Sequence, residues 1–126
     1  MLGFVTMLLS FGAMAASNAT SVQLVMMEQD ACEWCERWHS EIGSTYPKTD
    51  EGKKAPLRIV NIHDDWPEDL KDVRKAHFTP TFVLVSNGEE IGRLRGYTGD
   101  EFFWFLLGEM LEKLPSETKQ TNTPKT

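Results

Sequence analysis

Residues 22–35 read VQLVMMEQDACEWC, an apolar run followed directly by a pair of cysteines, Cys32 and Cys35. The nearly continuous apolar run predicts a strand buried on both faces, in the middle of a sheet. If residues 33–45 form a helix, Cys32 lies at its start, where unpaired backbone N–H groups and the helix dipole favour a thiolate. Cys35, one turn further on, can then close a disulfide with it. Such a dithiol suits thiol–disulfide exchange.

Composition limits the classes of function. The chain has 126 residues, the size of one domain, and its cysteines are the two already named. Its formal net charge is −6 and it shows no Lys/Arg cluster, so nucleic acid and anionic membrane surfaces are excluded as expected partners. A disulfide across two residues restricts the unfolded chain very little, so structural stapling explains the pair poorly.

Three segments differ in character. Residues 1–16 are apolar and end in the small-residue pattern Ala13-Met14-Ala15, which predicts a secretory signal, although no Lys or Arg precedes Arg37. About 15 apolar-biased residues are short for a spanning helix, so cleavage is expected; an uncleaved segment would act as an anchor. Residues 17–114 are predicted to form the domain, and the polar residues 115–126 a disordered tail.

The predicted element order is strand, helix, strand, short helix, strand, strand, helix. The strands are 22–27, 57–62, 81–85 and 90–96, with Asn87-Gly88 as the hairpin turn between the last two. The helices are 33–45, 68–75 and 101–114, and Asp100 is predicted to cap the last of them. Residues 43–56 are predicted to be a surface loop. This order predicts an α/β fold with a mixed four-stranded sheet flanked by helices.

Two aromatic patterns predict buried helix faces. Trp34, Trp38 and Ile42 recur every four residues and predict one apolar stripe on the first helix. The last helix is predicted to bury a wide face, made of Phe102, Phe103, Phe105, Leu106 and Met110.

The dithiol, the segment Thr79-Pro80-Thr81 and the hairpin that follows it together resemble the thioredoxin family over residues 22–114. The closer resemblance is to the periplasmic thioredoxin-like SoxS proteins of bacterial sulfur-oxidation systems. It rests on Glu28-Gln29, Cys35-Glu36-Arg37-Trp38-His39, Tyr46-Pro47-Lys48-Thr49 and Gly96-Tyr97.

The resemblance implies a periplasmic thiol–disulfide oxidoreductase with Cys32 and Cys35 as its catalytic residues and no cofactor beyond that pair. It implies that Pro80 is cis and faces the dithiol, that Thr79 offers backbone groups to a bound peptide, and that Gly96 lets a partner approach. Trp34 is either a platform for the partner or a packing residue. The expected partners are proteins with thiols or disulfides, such as a sulfur carrier kept reduced, with a membrane electron donor; the protein is expected to be a monomer.

The sequence also departs from the family pattern. Met26 stands where typical thioredoxins carry a buried Asp, Ala31 replaces the usual Trp before the first cysteine, and Glu33-Trp34 replaces Gly-Pro between the cysteines. Proton handling must therefore differ. Glu28 and His39 are weaker candidates for that role, and we keep both outside the catalytic pair.

Local charge suggests the direction of electron flow. Four carboxylates close in sequence, Glu28, Asp30, Glu33 and Glu36, oppose a thiolate at Cys32, whereas the helix start and Arg37 favour it. We therefore expect a modestly lowered pKa of the Cys32 thiol and a couple that acts as a reductant.

Two alternatives remain open at this point. One is a dithiol oxidase or isomerase. The other is a non-enzymatic redox-sensing or metal-binding module, although the possible extra ligands His39, His63 and His77 are scattered along the chain. Haem attachment is excluded because Glu36, not His, follows the second cysteine.

Overall fold

In the computed structural model, which describes residues 21–116, four strands form one mixed sheet. They are β1 (Val22–Glu28), β2 (Leu57–Asn61), β3 (Thr81–Ser86) and β4 (Glu89–Arg95), in the order β2-β1-β3-β4. β1 runs parallel to β2 and antiparallel to β3, and β3 runs antiparallel to β4. The predicted mixed four-stranded sheet is confirmed.

The two central strands are buried on both faces, as their apolar runs predict. Leu24 to Met27 of β1 and Phe82 to Val85 of β3 are fully buried. Met26 pairs with Phe82 and Val25 with Val83, so successive residues contribute to opposite faces of the sheet. The hairpin between β3 and β4 turns at Asn87 and Gly88, whose φ angles of 51° and 80° suit a two-residue turn.

Three α-helices accompany the sheet within the described residues. α1 (Glu33–Trp38) continues as a π-helical turn over His39–Gly43, α2 is Asp50–Lys54, and α3 is Asp100–Glu112. Gly99 occupies the cap position of α3; Asp100 is its first residue, and its carboxylate accepts a hydrogen bond from the Glu101 N–H at 2.8 Å. Asp100 therefore supports the first turn from inside the helix rather than capping it.

The surface loop predicted for residues 43–56 is wrong. A 3-10 helix, Tyr46–Lys48, and α2 occupy this segment. Tyr46 is fully buried and its hydroxyl donates to the Ala55 carbonyl at 2.6 Å, while the Thr49 hydroxyl accepts from the Gly52 N–H. One buried aromatic residue and one helix cap thus hold this polar segment in a helical conformation. Gly52 is needed there because a Cβ would lie 1.9 Å from the backbone carbonyl oxygen of Tyr46.

The helix predicted for residues 68–75 is also wrong. It is reduced to a 3-10 helix, Glu68–Leu70, within an otherwise irregular segment. Leu70, Val73 and Ala76 from this segment are buried against one face of the sheet. These apolar contacts hold the segment, and a regular helix is not needed to place them.

Both predicted aromatic faces are only partly correct. Trp38 and Ile42 are buried, but Trp34 is 49% exposed. On α3, Phe103 and Met110 are buried, whereas Phe102 and Phe105 are 63% and 62% exposed. The physical reason is that each helix touches the sheet along a narrow stripe, and the neighbouring aromatic residues fall outside it.

The predicted signal, residues 1–16, lies outside the described residues, as does the tail from residue 117 onward. Among residues 21–116, no helix has the length and apolarity needed to cross a membrane.

Candidate functional site

The two cysteines lie at the junction of β1 and α1, where they form a disulfide. Cys32 is the N-cap residue of α1, with extended backbone angles (φ −92°, ψ 98°), and Cys35 lies within the first turn. Ala31 precedes them with φ 57°, the left-handed region, which turns the chain sharply from strand into helix. Cys32 is 9% exposed and Cys35 3%, so Cys32 is the more accessible sulfur.

Two hydrogen-bond donors among the described residues point at the Cys32 sulfur. The backbone N–H of Cys35 lies 3.2 Å from Cys32 Sγ, and the Thr79 hydroxyl also lies 3.2 Å from it. Donors to a sulfur favour its negatively charged form, because the thiolate is the better acceptor. Once the disulfide is reduced, these two donors and the place at the helix start favour a thiolate at Cys32.

The Thr79–Pro80 peptide bond is cis, and Pro80 is buried directly before β3. The Gly96 N–H donates to the Pro80 carbonyl at 2.8 Å, which fastens the end of β4 to the proline. Gly96 has φ +83°, a conformation that glycine adopts without strain, and a Cβ there would meet no atom within 4 Å. The backbone at Gly96 thus faces open space.

A groove of about 480 Å³ runs beside these residues. The four residues that we predicted to bind a partner all line it: Trp34, Thr79, Pro80 and Gly96. The structure therefore brings together residues from α1, the segment before β3 and the turn after β4.

Phe78 is a groove residue that the sequence interpretation missed. It is 51% exposed and precedes Thr79 in the groove lining. An aromatic residue next to the Thr-Pro pair was the available signal, but its exposure could not be known from sequence alone.

Arg37 is held at the groove by a small network. Its guanidinium lies 5.4 Å from the Trp34 ring centroid and its Nε donates to Glu41 at 2.8 Å. The Tyr97 hydroxyl donates to the other carboxylate oxygen of Glu41. Hydrogen bonds from Tyr97 and then Arg37 lower the pKa of Glu41, whereas burial and the bond to Glu41 raise the pKa of Tyr97. Arg37, which we expected to favour the thiolate, forms an ion pair with Glu41.

Two groups near the dithiol in sequence have definite partners. The Glu28 carboxylate lies 2.7 Å from His39 Nε2, a pairing between the end of β1 and the turn after α1 that the sequence interpretation did not anticipate. Met26, at the position of the usual family Asp, is fully buried. The carboxylate of Glu28, at the end of β1, thus pairs with His39 in the π-helical turn after α1.

Within residues 21–116, no three His, Cys, Asp or Glu side chains come together as a group that could hold a metal ion. His63 instead lies 2.9 Å from the side-chain oxygen of Gln29.

No protein-family model and no curated protein matches the chain. Among solved structures, the crystal structure of the periplasmic thioredoxin SoxS from Paracoccus pantotrophus, in its reduced form, is similar, with a TM-score of 0.70 and 43% sequence identity. The match covers 73% of this chain and 97% of that one. With this likeness, the mixed sheet and the Cys32–Cys35 disulfide, the chain belongs to the thioredoxin family of thiol–disulfide oxidoreductases, as a relative of SoxS.

Proposed function

We propose that the protein is an exported reductase that keeps cysteine thiols of partner proteins reduced. The observation that carries this proposal is the Cys32 sulfur, the more exposed of the pair, which accepts hydrogen bonds from Cys35 N–H and from Thr79 of the groove lining. A nucleophilic sulfur needs stabilisation of its thiolate and access for a partner, and this position offers both.

The reaction takes place in two steps. The Cys32 thiolate attacks one sulfur of a partner disulfide, so that bond breaks, a mixed disulfide forms, and the other partner sulfur leaves as a thiolate. Cys35, deprotonated, then attacks Cys32 Sγ, forming the Cys32–Cys35 disulfide and releasing the second partner thiolate. Two electrons pass to the partner, and the two thiol protons of the enzyme pass to the released thiolates or to solvent.

The groove supplies the docking surface. Within residues 21–116, neither the backbone N–H nor the carbonyl of Thr79 forms a hydrogen bond, so both can pair with an extended partner segment. Exposed Trp34 and Phe78, which line the same groove, offer apolar area to the partner. Pro80 follows Thr79 in the groove lining, and Gly96 leaves room for the partner backbone.

The related SoxS is a periplasmic thioredoxin, and we assign this chain to the same compartment, exported by residues 1–16. A membrane protein supplies two electrons to return the Cys32–Cys35 disulfide to the dithiol, no further cofactor takes part, and the protein acts as a monomer. A sulfur-carrier protein with a reactive cysteine is the expected partner.

The direction of electron flow is tested by the equilibrium redox potential of the Cys32–Cys35 couple, measured on residues 17–126 against dithiothreitol and glutathione buffers. A value near that of thioredoxin, about −270 mV, supports a reductase. A value near −120 mV contradicts the proposal and makes the protein an oxidant.

The assignment of the two cysteines is tested by trapping, with insulin as the disulfide substrate. Cys35→Ser should accumulate a mixed disulfide through Cys32, because the resolving thiol is missing. Cys32→Ser is the matched variant and should form none and lose insulin reduction altogether. Equal trapping by both variants would contradict the assigned roles.

A further inference from the structure

The Thr79 hydroxyl belongs to a longer chain of hydrogen bonds that ends at the Cys32 sulfur. Gln29 Nε2 lies 2.9 Å from Thr79 Oγ1, and His63 Nε2 lies 2.9 Å from Gln29 Oε1. The Thr79 hydroxyl then lies 3.2 Å from Cys32 Sγ. Gln29 is half-buried, 50 residues from Thr79 and 34 from His63 in sequence.

The sheet brings these residues together. β1 and β2 are parallel neighbours with Glu28 opposite Asn61, so Gln29 and His63 leave the same edge of the sheet. The Ile62 N–H donates to the Glu28 carbonyl at 2.9 Å, and the His63 N–H donates to the Asn61 side-chain oxygen at 2.9 Å. The imidazole is therefore positioned beside Gln29 by the strand pair and the turn after it.

The donor-to-acceptor direction of these hydrogen bonds follows from the chemical groups that form them. An amide side chain has one donor end and one acceptor end, so a Gln29 that accepts from His63 at its oxygen must present its NH₂ group to Thr79. A threonine hydroxyl has a single proton. Once its oxygen accepts from Gln29, that proton is directed to the sulfur, where it favours the thiolate.

We propose that Gln29 is a positioning residue that directs the Thr79 hydroxyl at Cys32, with His63 holding the amide in the required orientation. With the opposite orientation of the amide, its oxygen would face Thr79, and the hydroxyl would donate its hydrogen bond to that oxygen instead of to the sulfur. The inference rests on the proposed role of Cys32 as the attacking thiolate. It assigns part of the thiolate's stabilisation to residues outside the Cys-x-x-Cys motif.

The test is a double-mutant cycle of Gln29→Met and Thr79→Val, read by the absorbance of the thiolate during pH titration of the reduced protein. Gln29→Met keeps the length of the side chain and removes its donor. It should lower the acid dissociation constant of the Cys32 thiol by about three- to tenfold, the value of one neutral hydrogen bond, and so reduce the thiolate fraction near neutral pH. The equilibrium with glutathione should shift by a similar factor toward the disulfide.

The cycle separates positioning from a structural role. In the Thr79→Val background, Gln29→Met should have no further effect, because there is no hydroxyl left to direct. An equal effect of Gln29→Met with and without the hydroxyl, or no effect in either background, overturns the inference. Thermal unfolding of each reduced variant shows whether its fold is intact.

His63 provides the second measurement, with His77 as the matched control because it is also exposed and lies outside this chain of bonds. His63→Ala should lower the thiolate fraction in the same direction as Gln29→Met and by less, whereas His77→Ala should leave it unchanged. Equal shifts in both histidine variants contradict a specific role for His63.

Alkylation with iodoacetamide followed by mass spectrometry identifies which thiol titrates. If Cys35 reacts first, the assignment of Cys32 as nucleophile fails, and this inference fails with it. If Cys32 reacts first and Gln29→Met leaves its titration unchanged, the inference alone is overturned and the proposed function stands.

Discussion

The two faces of the sheet are covered by different kinds of residue and different kinds of structure. On the face that carries the dithiol, α1 and α3 pack through aromatic rings, with Phe103 within 5.1–6.4 Å of five other rings. On the other face, the buried residues are aliphatic, and much of the cover comes from the irregular segment that carries Leu70, Val73 and Ala76. Trp66 is the aromatic residue packed at its margin.

The difference shows how the site is divided between the faces. The cysteines lie on the helical, aromatic face, where large rings fix the position of α1. Phe78, Thr79 and Pro80, in contrast, come at the end of the irregular segment, just before β3. The cysteines thus depend on the aromatic face, whereas one side of the groove follows the segment that covers the aliphatic face, and the two meet at the contact between Thr79 and Cys32.

The largest expected effect is at the centre of the aromatic face. Phe103→Ala removes a buried ring with contacts to Trp38, Phe82 and Tyr97, and should lower the free energy of unfolding by about 3–5 kcal/mol. Urea unfolding of the oxidised protein measures this. Phe102→Ala, on the same helix but 63% exposed, is the control and should change stability by less than about 1 kcal/mol. Similar losses in both variants would contradict the narrow buried stripe of α3.

A smaller loss is expected on the aliphatic face. Leu70→Ala should cost about 2–3 kcal/mol, because Leu70 is fully buried but the segment around it can shift to fill part of the space. The substitution should also increase the rate of amide hydrogen exchange more in residues 62–78 than in α1. Lys71→Ala, at the exposed neighbouring position, is the control. A loss equal to that of Phe103→Ala, with faster exchange in α1 as well, would show that the two faces respond as one unit.

The smallest expected effect is at the surface of the helical face, where Glu41 joins Arg37 to Tyr97. Because hydrogen bonds from Tyr97 and Arg37 hold the pKa of Glu41 below its ordinary 4.5, its stabilising contribution is complete above that pH and decreases as the pH falls further. The stability difference between wild type and Glu41→Gln should therefore be constant near neutrality and narrow below pH 4.5. Urea unfolding at a series of pH values measures it.

Tyr97→Phe sharpens the same measurement. It removes one of the two donors to Glu41 and leaves Arg37 in place, so the pH dependence should be weaker than in wild type but not absent. A difference between wild type and Glu41→Gln that grows as the pH falls would contradict the assignment, because the sign would be reversed.

The order of elements could be predicted from sequence because each signal was local. The continuous apolar runs of β1 and β3 and the Asn87-Gly88 turn require no knowledge of the rest of the chain. The prediction for residues 43–56 was wrong because it rested on their polar composition. The segment is held by a contact distant in sequence, in which the Tyr46 ring stacks on Trp104 with ring centroids 6.0 Å apart. Residues 68–75 failed because apolar burial, not backbone hydrogen bonding, holds that segment.

The candidate site followed the same rule. The dithiol could be proposed from its residue types and spacing, and Thr79, Pro80 and Gly96 from the resemblance to thioredoxins; all three line the groove beside it. Gln29 and His63 could not, since their part in the site depends on strand register and each is an ordinary polar residue by itself. Phe78 was missed because the exposure of an aromatic residue is decided by how the whole domain packs.

The position of β4 at the outside of the sheet has a consequence for solubility. An outer strand presents unpaired backbone groups that can recruit a second chain and begin aggregation. Charged residues are frequent along β4, with Glu89, Glu90, Arg93 and Arg95 among its seven positions. Such charges oppose strand-to-strand association between molecules. They disfavour pairing of another protein's extended segment along β4, whereas the backbone groups of Thr79 have no hydrogen-bond partner within residues 21–116.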